Sequence, residues 1–361
     1  MGDAPRRNNT CLFRELDDRM SPTDPIAAPI SHDSDTMVSV GSSEVAVIVV
    51  NYRTPQFVMQ SVESLLPELR EVNGVVRIID NRSDDASPSI IRQWISKNGF
   101  KEQVSMTLAA RNGGFAAGNN IGIRSVRARY YLLLNSDTYM RPGAITSLVS
   151  FAEQHPGIGL IGASLEGPSG TPQQSEFRYP SPFRELDRAA ATGPITRWLR
   201  RWNARPSARR NTYPGRPDWV SFAAVLIRRE VLEDIGYLDE GYFMYFEDVD
   251  YCLRARKAGW GIATSPSSHV VHLEGGTSDV KRRATARERL PRYYYSARSR
   301  YYRKHHGLVG LVTANMFWYA GRLVSLAREH IGRRSTHISK RQWLDIWTDW
   351  HKAIERKRGA W

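Results

Sequence analysis

The sequence predicts an α/β fold with a mostly parallel central sheet flanked by helices. Between residues 45 and 134, apolar β-branched segments typical of buried strands alternate four times with segments of helical periodicity. This alternation implies right-handed crossovers between parallel strands. Each strand is followed by polar or small residues, and ligands of such sheets bind beyond the carboxyl ends of the strands. A ligand site is therefore expected at that edge.

The elements follow from the periodicity of apolar residues. Val45–Val50 is a run of apolar, mostly β-branched residues, and the first helix carries Val58, Val62, Leu65 and Leu69 at helical spacing. Strands are predicted at 45–50, 75–79, 104–108 and 130–134, and helices at 56–69, 87–98, 121–127 and 142–154.

Three regions are predicted from composition. Residues 1–43 lack periodicity and are rich in Pro, Asp and Ser, which indicates a disordered leader without a secretory signal. Residues 44–285 form the main domain, and residues 286–361 a basic, aromatic and helical C-terminal region. The two cysteines, Cys11 and Cys252, suggest no disulfide framework, so a reducing cytosolic compartment is expected.

The net charge of +14 predicts a polyanionic partner: a nucleic acid, anionic lipid or a phosphorylated substrate. Residues 281–306 alone hold ten Lys/Arg and one Glu, interleaved with tyrosines. Basic side chains can bind phosphates and the tyrosines between them can stack on bases, so a nucleic-acid-binding protein is the non-enzyme alternative. That alternative leaves the acidic motifs below unexplained, and no nucleic-acid partner is expected.

Asn135 and Asp137 follow the fourth strand. Their oxygen atoms are hard ligands suited to Mg²⁺ or Mn²⁺ carrying a diphosphate. An Asx turn or a helix cap before Arg141–Pro142 would explain the same residues without a metal.

Glu247, Asp248 and Asp250 place three carboxylates within four residues, after the aromatic run 242–246. On a helix, Asp250 can pair with Arg254 four residues later, which leaves Glu247 or Asp248 available as a general base. A cluster that complements the helix dipole would explain the acids but not the aromatic residues.

Two further motifs contain metal-binding or flexible residues. His269 and His272 lie on a predicted strand that ends at His272, and we expect one to be a metal ligand and the other to pack. The glycine loop 111–120 could cradle phosphates with its backbone N–H groups. Its spacing is not that of a dinucleotide-binding fingerprint.

In order and spacing, these motifs resemble the family 2 glycosyltransferases of the GT-A fold, over about residues 44–280. The resemblance rests on 47–52, 78–84, 112–120, 134–137 and 236–250. Its Glu-Asp-Val-Asp segment with a preceding Phe-Met-Tyr is most similar to the rhamnosyltransferase-like branch. The family motif is often Asp-x-Asp, and this sequence has Asn135 at its first position.

The resemblance implies an inverting, metal-dependent transfer of a sugar, with L-rhamnose from dTDP-rhamnose as the first expectation and a UDP-sugar such as UDP-galactose or UDP-N-acetylglucosamine as the alternative. The acceptor would be lipid-linked or a polysaccharide. It implies Asp248 as the base, with Glu247, Asp250 and Arg254 in support, and Asp137 and His272 as ligands of Mg²⁺ or Mn²⁺. The residues expected to bind the nucleotide sugar are Asn51, Asp80, Asn81, Asn112, Gly113, Gly114, Asn119 and Asn135.

Residues 308–327 predict a helix that lies in the plane of an anionic membrane. Asn315, Arg322 and Glu329 would form its polar stripe, and Phe317 and Trp318 would suit the headgroup layer. Packing on the main domain or on a partner subunit is the alternative. A polyprenyl-diphosphate acceptor would fit such an enzyme on the inner face of the plasma membrane, with its phosphates meeting residues 281–306.

Overall fold

The computed structural model of the chain describes residues 43–192, 217–273, 279–332 and 337–352. The predicted leader therefore lies outside the described residues, except that Ser43 begins the first strand. The boundary between the predicted main domain and the C-terminal region, at residues 285 and 286, stays a prediction.

The sheet confirms the predicted α/β fold. Eight strands are ordered β3-β2-β1-β4-β9-β6-β10-β5, with β3, β2, β1 and β4 mutually parallel and β9 antiparallel to both neighbours. Strands β7 and β8 form a separate pair. The strands are β1 Ser43–Asn51, β2 Gly74–Asp80, β3 Val104–Leu108, β4 Ala128–Asn135, β5 Thr138–Met140, β6 Ile158–Glu166, β7 Glu176–Phe177, β8 Trp219–Val220, β9 Ala224–Arg228 and β10 Gly261–His272.

Helices cover both faces of the sheet. They are α1 Pro55–Glu71, α2 Ser87–Lys97, α3 Gly114–Arg124, α4 Ala144–Gln154, α5 Pro182–Ala190, α6 Arg229–Ile235, α7 Glu247–Lys257, α8 Val280–Thr285, α9 Arg292–His330 and α10 Gln342–Asp345. The backbone of Gly307, with φ 68° and ψ −173°, divides α9 into two halves. Of the helices in the described ranges, none combines the length and apolar character needed to cross a membrane.

The side chains of β1 point alternately into two hydrophobic cores, one on each face of the sheet. Val45, Val47 and Val49 pack with side chains of α1, α2 and α4, whereas Ala46 and Ile48 pack on the other face with side chains of α3, α6 and α7. A strand that is buried on both faces must be apolar throughout, which is why its sequence does not alternate.

Helix α3 begins at Gly114, well before the predicted start at residue 121. Glycine disfavours helices, so the sequence indicated a loop. The glycines instead recur every four residues on the face toward β1, where a Cβ on Gly118 or Gly122 would lie 2.9 Å or 2.4 Å from β1 side chains. Close packing between helix and strand therefore outweighs the intrinsic preference.

The polar stripe predicted for the second half of α9 faces the protein and not the solvent. Asn315 is fully buried and accepts a hydrogen bond from Arg298 at 2.8 Å, and Arg322 forms an ion pair with Glu329. Trp318, expected in a headgroup layer, is 1% exposed. Asn315 belongs to a buried hydrogen-bonded network, as buried polar groups must, Arg322 and Glu329 are half-buried, and apolar residues occupy the outside.

Candidate active site

Asn51 and Asp80 meet at the carboxyl ends of β1 and β2, where the two residues are in register. Asn51 Nδ2 donates to Asp80 Oδ2 at 2.6 Å, and the backbone N–H of Ser83 donates to Asp80 Oδ1 at 2.8 Å. Both residues are fully buried. The protein thus holds the Asp80 carboxylate in one orientation at the edge where a ligand is expected.

Asn81 and Asn112 organise the glycine loop. Asn81 Nδ2 donates to Asn112 Oδ1 and to the carbonyl of Gly114, both at 2.9 Å. In return, the N–H of Gly113 donates to Asn81 Oδ1 and that of Gly114 to Asn112 Oδ1. These N–H groups are engaged within the protein, so the loop as it stands does not offer them as the predicted phosphate cradle.

Gly114 instead fixes the segment that leads into the acidic helix. Its φ of +79° favours glycine, and a Cβ there would lie 1.9 Å from the carbonyl oxygen of Phe243. That carbonyl accepts the N–H of Phe115 at 2.7 Å. The glycine is therefore required for contact between α3 and the aromatic run before α7.

Asn119 and Asn120 are fully buried in α3. Asn119 Nδ2 donates to the carbonyl of Phe115, and a direct contact of Asn119 with a nucleotide sugar stays a prediction. Asn120 bonds both to the N–H and to the carbonyl of Leu238. Asn120 thereby fastens the Gly236–Asp239 motif to α3.

Asp137 and His272 come together through strand pairing. His272 at the end of β10 is in register with Thr138 of β5, and the N–H of Leu273 donates to the Asp137 carbonyl at 2.9 Å. As a result, His272 Nε2 lies 3.6 Å from Asp137 Oδ1. Asp137 is buried, and Asn135 stands at the start of the same turn, half-buried.

His269 does not pack in the core, contrary to the expectation for the second histidine. It is exposed, with Nδ1 3.6 Å from Glu166 Oε2, and Arg141 Nε donates to the same carboxylate at 2.7 Å. Only His272 lies near a predicted metal-ligating residue.

Two consecutive residues with a left-handed backbone precede the acidic helix. Tyr245 and Phe246 have φ of 69° and 66°, a conformation that is rare and strained outside glycine. Aromatic packing holds it: Tyr245 stacks on Tyr293 and Phe246 packs on Tyr301, with centroids 6.4 Å and 5.7 Å apart. This turn sets where the first carboxylates of α7 point, and no local signal in the sequence predicts it.

Glu247 and Asp248 occupy the first turn of α7 in a poorly solvated setting. Burial raises the pKa of Asp248 to about 7. Burial, together with the charge of Asp248, raises the pKa of Glu247 well above its usual range. Asp248 is half-buried, so it combines access with a pKa near neutrality. A carboxyl group of this kind can take up a proton at neutral pH.

Asp250 has the opposite environment on the same helix. Burial alone would raise its pKa, but His305, Arg254 and Lys304 hold the pKa well below the usual range. The distances from the carboxylate are 2.7 Å to His305 Nε2, 2.9 Å to Arg254 Nε and 2.7 Å to Lys304 Nζ. The predicted pairing of Asp250 with Arg254 is confirmed, whereas Lys304 and His305 were not predicted as its partners.

The basic segment 281–306 is largely neutralised within the protein. Arg300 and Lys304 bind Asp239, Arg298 binds Glu185, and Arg289 and Arg292 bind Asp345 and Asp349. Tyr295, Tyr301 and Tyr302 are buried. Lys304 also contacts Asp250 and so links α9 to α7, Arg298 links α9 to α5, and Arg289 and Arg292 pair with acids in or just after α10. These side chains are therefore engaged within the protein, and a phosphate-binding surface at 281–306 stays a prediction.

Hydrogen bonds connect the loops that follow β1, β2 and β4. Thr54 Oγ1 bonds to Asn51 Oδ1, and it lies 3.5 Å from the hydroxyl of Ser136, beside Asp137. On the other side, Asn81 leads through Gly114 to the segment before α7. The predicted nucleotide-binding residues are thus linked to the turn that holds Asp137 and to the segment before α7, and their assembly into one site with Asp248 stays a prediction.

Known proteins with similar sequences point to one family. A family model described as "Glycosyltransferase like family 2" matches residues 43–290. The N-acetylglucosaminyl-diphospho-decaprenol L-rhamnosyltransferase of Mycobacterium tuberculosis is 34% identical over 145 residues, which are 40% of this chain and 46% of that protein. The chain thus spans less than half the length of this relative. The dTDP-rhamnosyl transferase RfbF of Shigella flexneri is 24% identical over 66% of this chain and 71% of its own.

The fold is shared with a solved structure at low sequence identity. The mannosyltransferase PcManGT from Pyrobaculum calidifontis, solved with GDP-Man and Mn²⁺, superposes with a TM-score of 0.51 and 14% identity. The match covers 82% of this chain and 77% of that one. This likeness concerns the GT-A fold alone.

Proposed function

The chain belongs to glycosyltransferase-like family 2, and we propose that it is an inverting transferase of the rhamnosyltransferase-like branch. The proposed reaction moves L-rhamnose from dTDP-rhamnose to a lipid-linked or polysaccharide acceptor in cell-envelope glycan synthesis. Relatives named for rhamnosyl transfer support the choice of sugar. The observation that carries the mechanism is Asp248, a half-buried carboxyl group whose pKa is raised to about 7.

In this mechanism Asp248 is the base. Its carboxylate takes the proton of the acceptor hydroxyl as that oxygen forms a bond to the anomeric carbon. The bond from that carbon to the diphosphate breaks on the opposite side, and the diphosphate leaves with the electron pair. One displacement without a covalent enzyme intermediate inverts the anomeric configuration. Glu247 supports the acceptor side, and Asp250 with Arg254 anchors the helix.

The residues present suit a divalent metal. Asp137 offers a carboxylate oxygen and His272 an imidazole nitrogen 3.6 Å away, at the edge where a diphosphate would bind. Among the described residues no group of three or more acidic, His or Cys side chains is gathered. Phosphate oxygens and water would therefore complete the coordination of Mg²⁺ or Mn²⁺, as is common for these ions. When bound, the ion would stabilise charge on the leaving diphosphate.

Metal binding has a direct test. We expect Mn²⁺ titration, followed by the electron paramagnetic resonance signal of free Mn²⁺, to show binding in the presence of dTDP. Asp137→Ala and His272→Ala should each weaken it by about tenfold or more. The matched control is His269→Ala, which changes the neighbouring exposed histidine. Equal binding by all four proteins would contradict the assignment.

The nucleotide sugar is proposed to lie along the same edge. Asp80, oriented by Asn51, would contact the base or the ribose, and Asn135 would lie near the diphosphate. The glycine loop, with Asn81 and Asn112, would line the donor side, together with Gly113, Gly114 and Asn119. Replacing Asp80 by Asn should raise KM for the donor more than it lowers kcat.

A lipid-linked acceptor such as a polyprenyl diphosphate would bring the enzyme to a membrane, and we propose that it works on the cytoplasmic face of the plasma membrane. The M. tuberculosis relative is named for a decaprenol-linked acceptor, which supports this choice.

The proposed function is tested by a panel of nucleotide sugars with membrane lipid extracts. Turnover of dTDP-rhamnose, with product of inverted configuration, is expected from the wild type and not from Asp248→Asn. If only UDP-galactose or UDP-N-acetylglucosamine is turned over, the assigned donor is wrong but the proposed mechanism still holds. Near-normal turnover by Asp248→Asn would show that the assigned base is wrong.

A further inference from the structure

The second half of α9 exposes an unusual row of apolar side chains. Apart from the adjacent Leu308 and Val309, its exposed members are three, four or seven residues apart and so share one face of the helix. We call this the outer face: Leu308, Val309, Val312, Met316, Leu323 and Leu326. Val309 and Leu323 are 78% and 68% exposed. A contiguous apolar surface of this kind on a folded protein marks an interaction site.

The exposure is not a consequence of loose packing, because the opposite face of the same helix is firmly seated. Gly321 lies against α5, where a Cβ would be 2.4 Å from the carbonyl oxygen of Leu186. Trp318 and Asn315 are buried on that side. The protein therefore holds the helix in place with its polar and small residues inward and presents the outer face to its surroundings.

The apolar surface continues onto α10. The hydroxyl of Tyr319, on the same helix, donates to the carbonyl of Trp343 at 2.5 Å. Trp343 and its neighbour Leu344 are both exposed. Tryptophan beside aliphatic residues is typical of surfaces that sit at the boundary between lipid and water.

Charge around this surface is one-sided. Lys340 and Arg341 are exposed immediately before α10. The acidic residues of 292–332 and 337–352 are Glu329, Asp345 and Asp349, and each of them forms an ion pair with an arginine. Basic groups at the border of an apolar face complement anionic lipid headgroups.

From this combination we infer that the outer face of α9, with Trp343 and Leu344, docks in the plane of an anionic lipid bilayer. The aliphatic side chains would enter the boundary of the acyl region, while Lys340 and Arg341 would meet headgroup phosphates. The inference rests on the apolar face and its charge, not on the chemistry at Asp248, so the two can fail separately.

The test is flotation with vesicles of phosphatidylcholine and phosphatidylglycerol in equal amounts. Val309→Glu with Leu323→Glu should lower vesicle partitioning by about tenfold or more, because two inserted side chains become charged. The charge-matched control is Gln93→Glu with Ser96→Glu, which adds two acids to exposed positions of α2 and should bind as wild type.

A second variant tests the electrostatic contribution to vesicle binding. Lys340→Gln with Arg341→Gln should weaken binding to the anionic vesicles by about fivefold per charge and leave the weak binding to pure phosphatidylcholine unchanged. All variants should keep wild-type turnover of a water-soluble acceptor analogue, which verifies folding and separates docking from catalysis.

Three results would overturn the inference. Unchanged vesicle binding by the double Glu variant would exclude the outer face as the membrane-binding surface. An equal loss in the α2 control would show a general charge effect. If the wild type fails to bind vesicles but its oligomeric state by light scattering changes with Val309→Glu and Leu323→Glu, the face covers a second copy of the chain.

Discussion

The first turn of α7 and the side of α7 that faces α9 carry carboxylates in opposite states. Asp248 lies in a poorly solvated turn, and its pKa is raised to about 7. Asp250, two residues later, is fully buried beside His305, Arg254 and Lys304, which hold its pKa low. The contrast shows that local sequence alone does not decide the role of an acid, because two of the three partners of Asp250, Lys304 and His305, come from distant residues.

The largest effect is expected for Asp248→Asn. Losing the base should reduce kcat by about a thousandfold. Because burial disfavours the Asp248 carboxylate in the folded state, the neutral amide should leave the melting temperature at pH 8 unchanged or raise it. Steady-state kinetics and thermal unfolding measure the two effects. If Asp248→Asn lost stability as well as activity, the proposed difference between Asp248 and Asp250 would be wrong.

Asp250→Asn should do the reverse and act mainly on stability. Removing the buried charge takes the carboxylate partner from Arg254 and one of two carboxylate partners from Lys304, which should lower the free energy of unfolding by about 3 kcal/mol. Urea unfolding at pH 7 provides the measurement. Asp84→Asn is the control, because this exposed acid pairs with Arg53 at the surface and should show no measurable change. Equal losses for both variants would argue against the buried network.

Gly114→Ala tests whether the turn before α7 positions the first carboxylates. The added Cβ would collide with the Phe243 carbonyl, so we expect a loss of about 2 kcal/mol of stability and a clear fall in kcat. Gly143→Ala is a matched control, since Gly143 has φ of +80° with open space around it. It should show the backbone strain without the loss of kcat. Equal kcat values for Gly114→Ala and Gly143→Ala would show that the glycine loop does not position the active site.

The smallest change is expected from Glu247→Gln. The raised pKa of Asp248 means that kcat/KM should fall as the pH drops through about 7, and not near the usual carboxyl value of about 4. Because burial raises the pKa of Glu247 well above its usual range, replacing it with the neutral glutamine should shift this limb of the profile only slightly. A pH–rate profile of both proteins measures it. A limb near pH 4 in the wild type would refute the assignment of Asp248.

Much of the sheet was predictable from the sequence, for a physical reason. Strands buried on both faces need uninterrupted apolar residues, and β1 and the second half of β4 carry them. The residues after each strand could also be grouped, since the carboxyl ends of parallel strands share an edge. Asn51 and Asp80 indeed meet there.

What the sequence could not supply was pairing across distance. The charge of 281–306 was visible, but Lys304 and His305 bind Asp250 across more than fifty residues, and no local pattern encodes that contact. Periodicity likewise revealed two faces of the helix after Gly307 without telling which face is inward. Packing against α5 decided that question.

The contact between Asp250 and α9 has a consequence for the order of synthesis. His305 follows Asp250 by 55 residues, so a nascent chain completes α7 well before two of the three partners of Asp250, Lys304 and His305, exist. Until α9 is made, Asp250 has only Arg254 of these three partners. The acidic helix therefore reaches its final setting only after α9 has been synthesised, and shortened chains that end before residue 304 should be targets of chaperones and proteases even though the central parallel strands are complete.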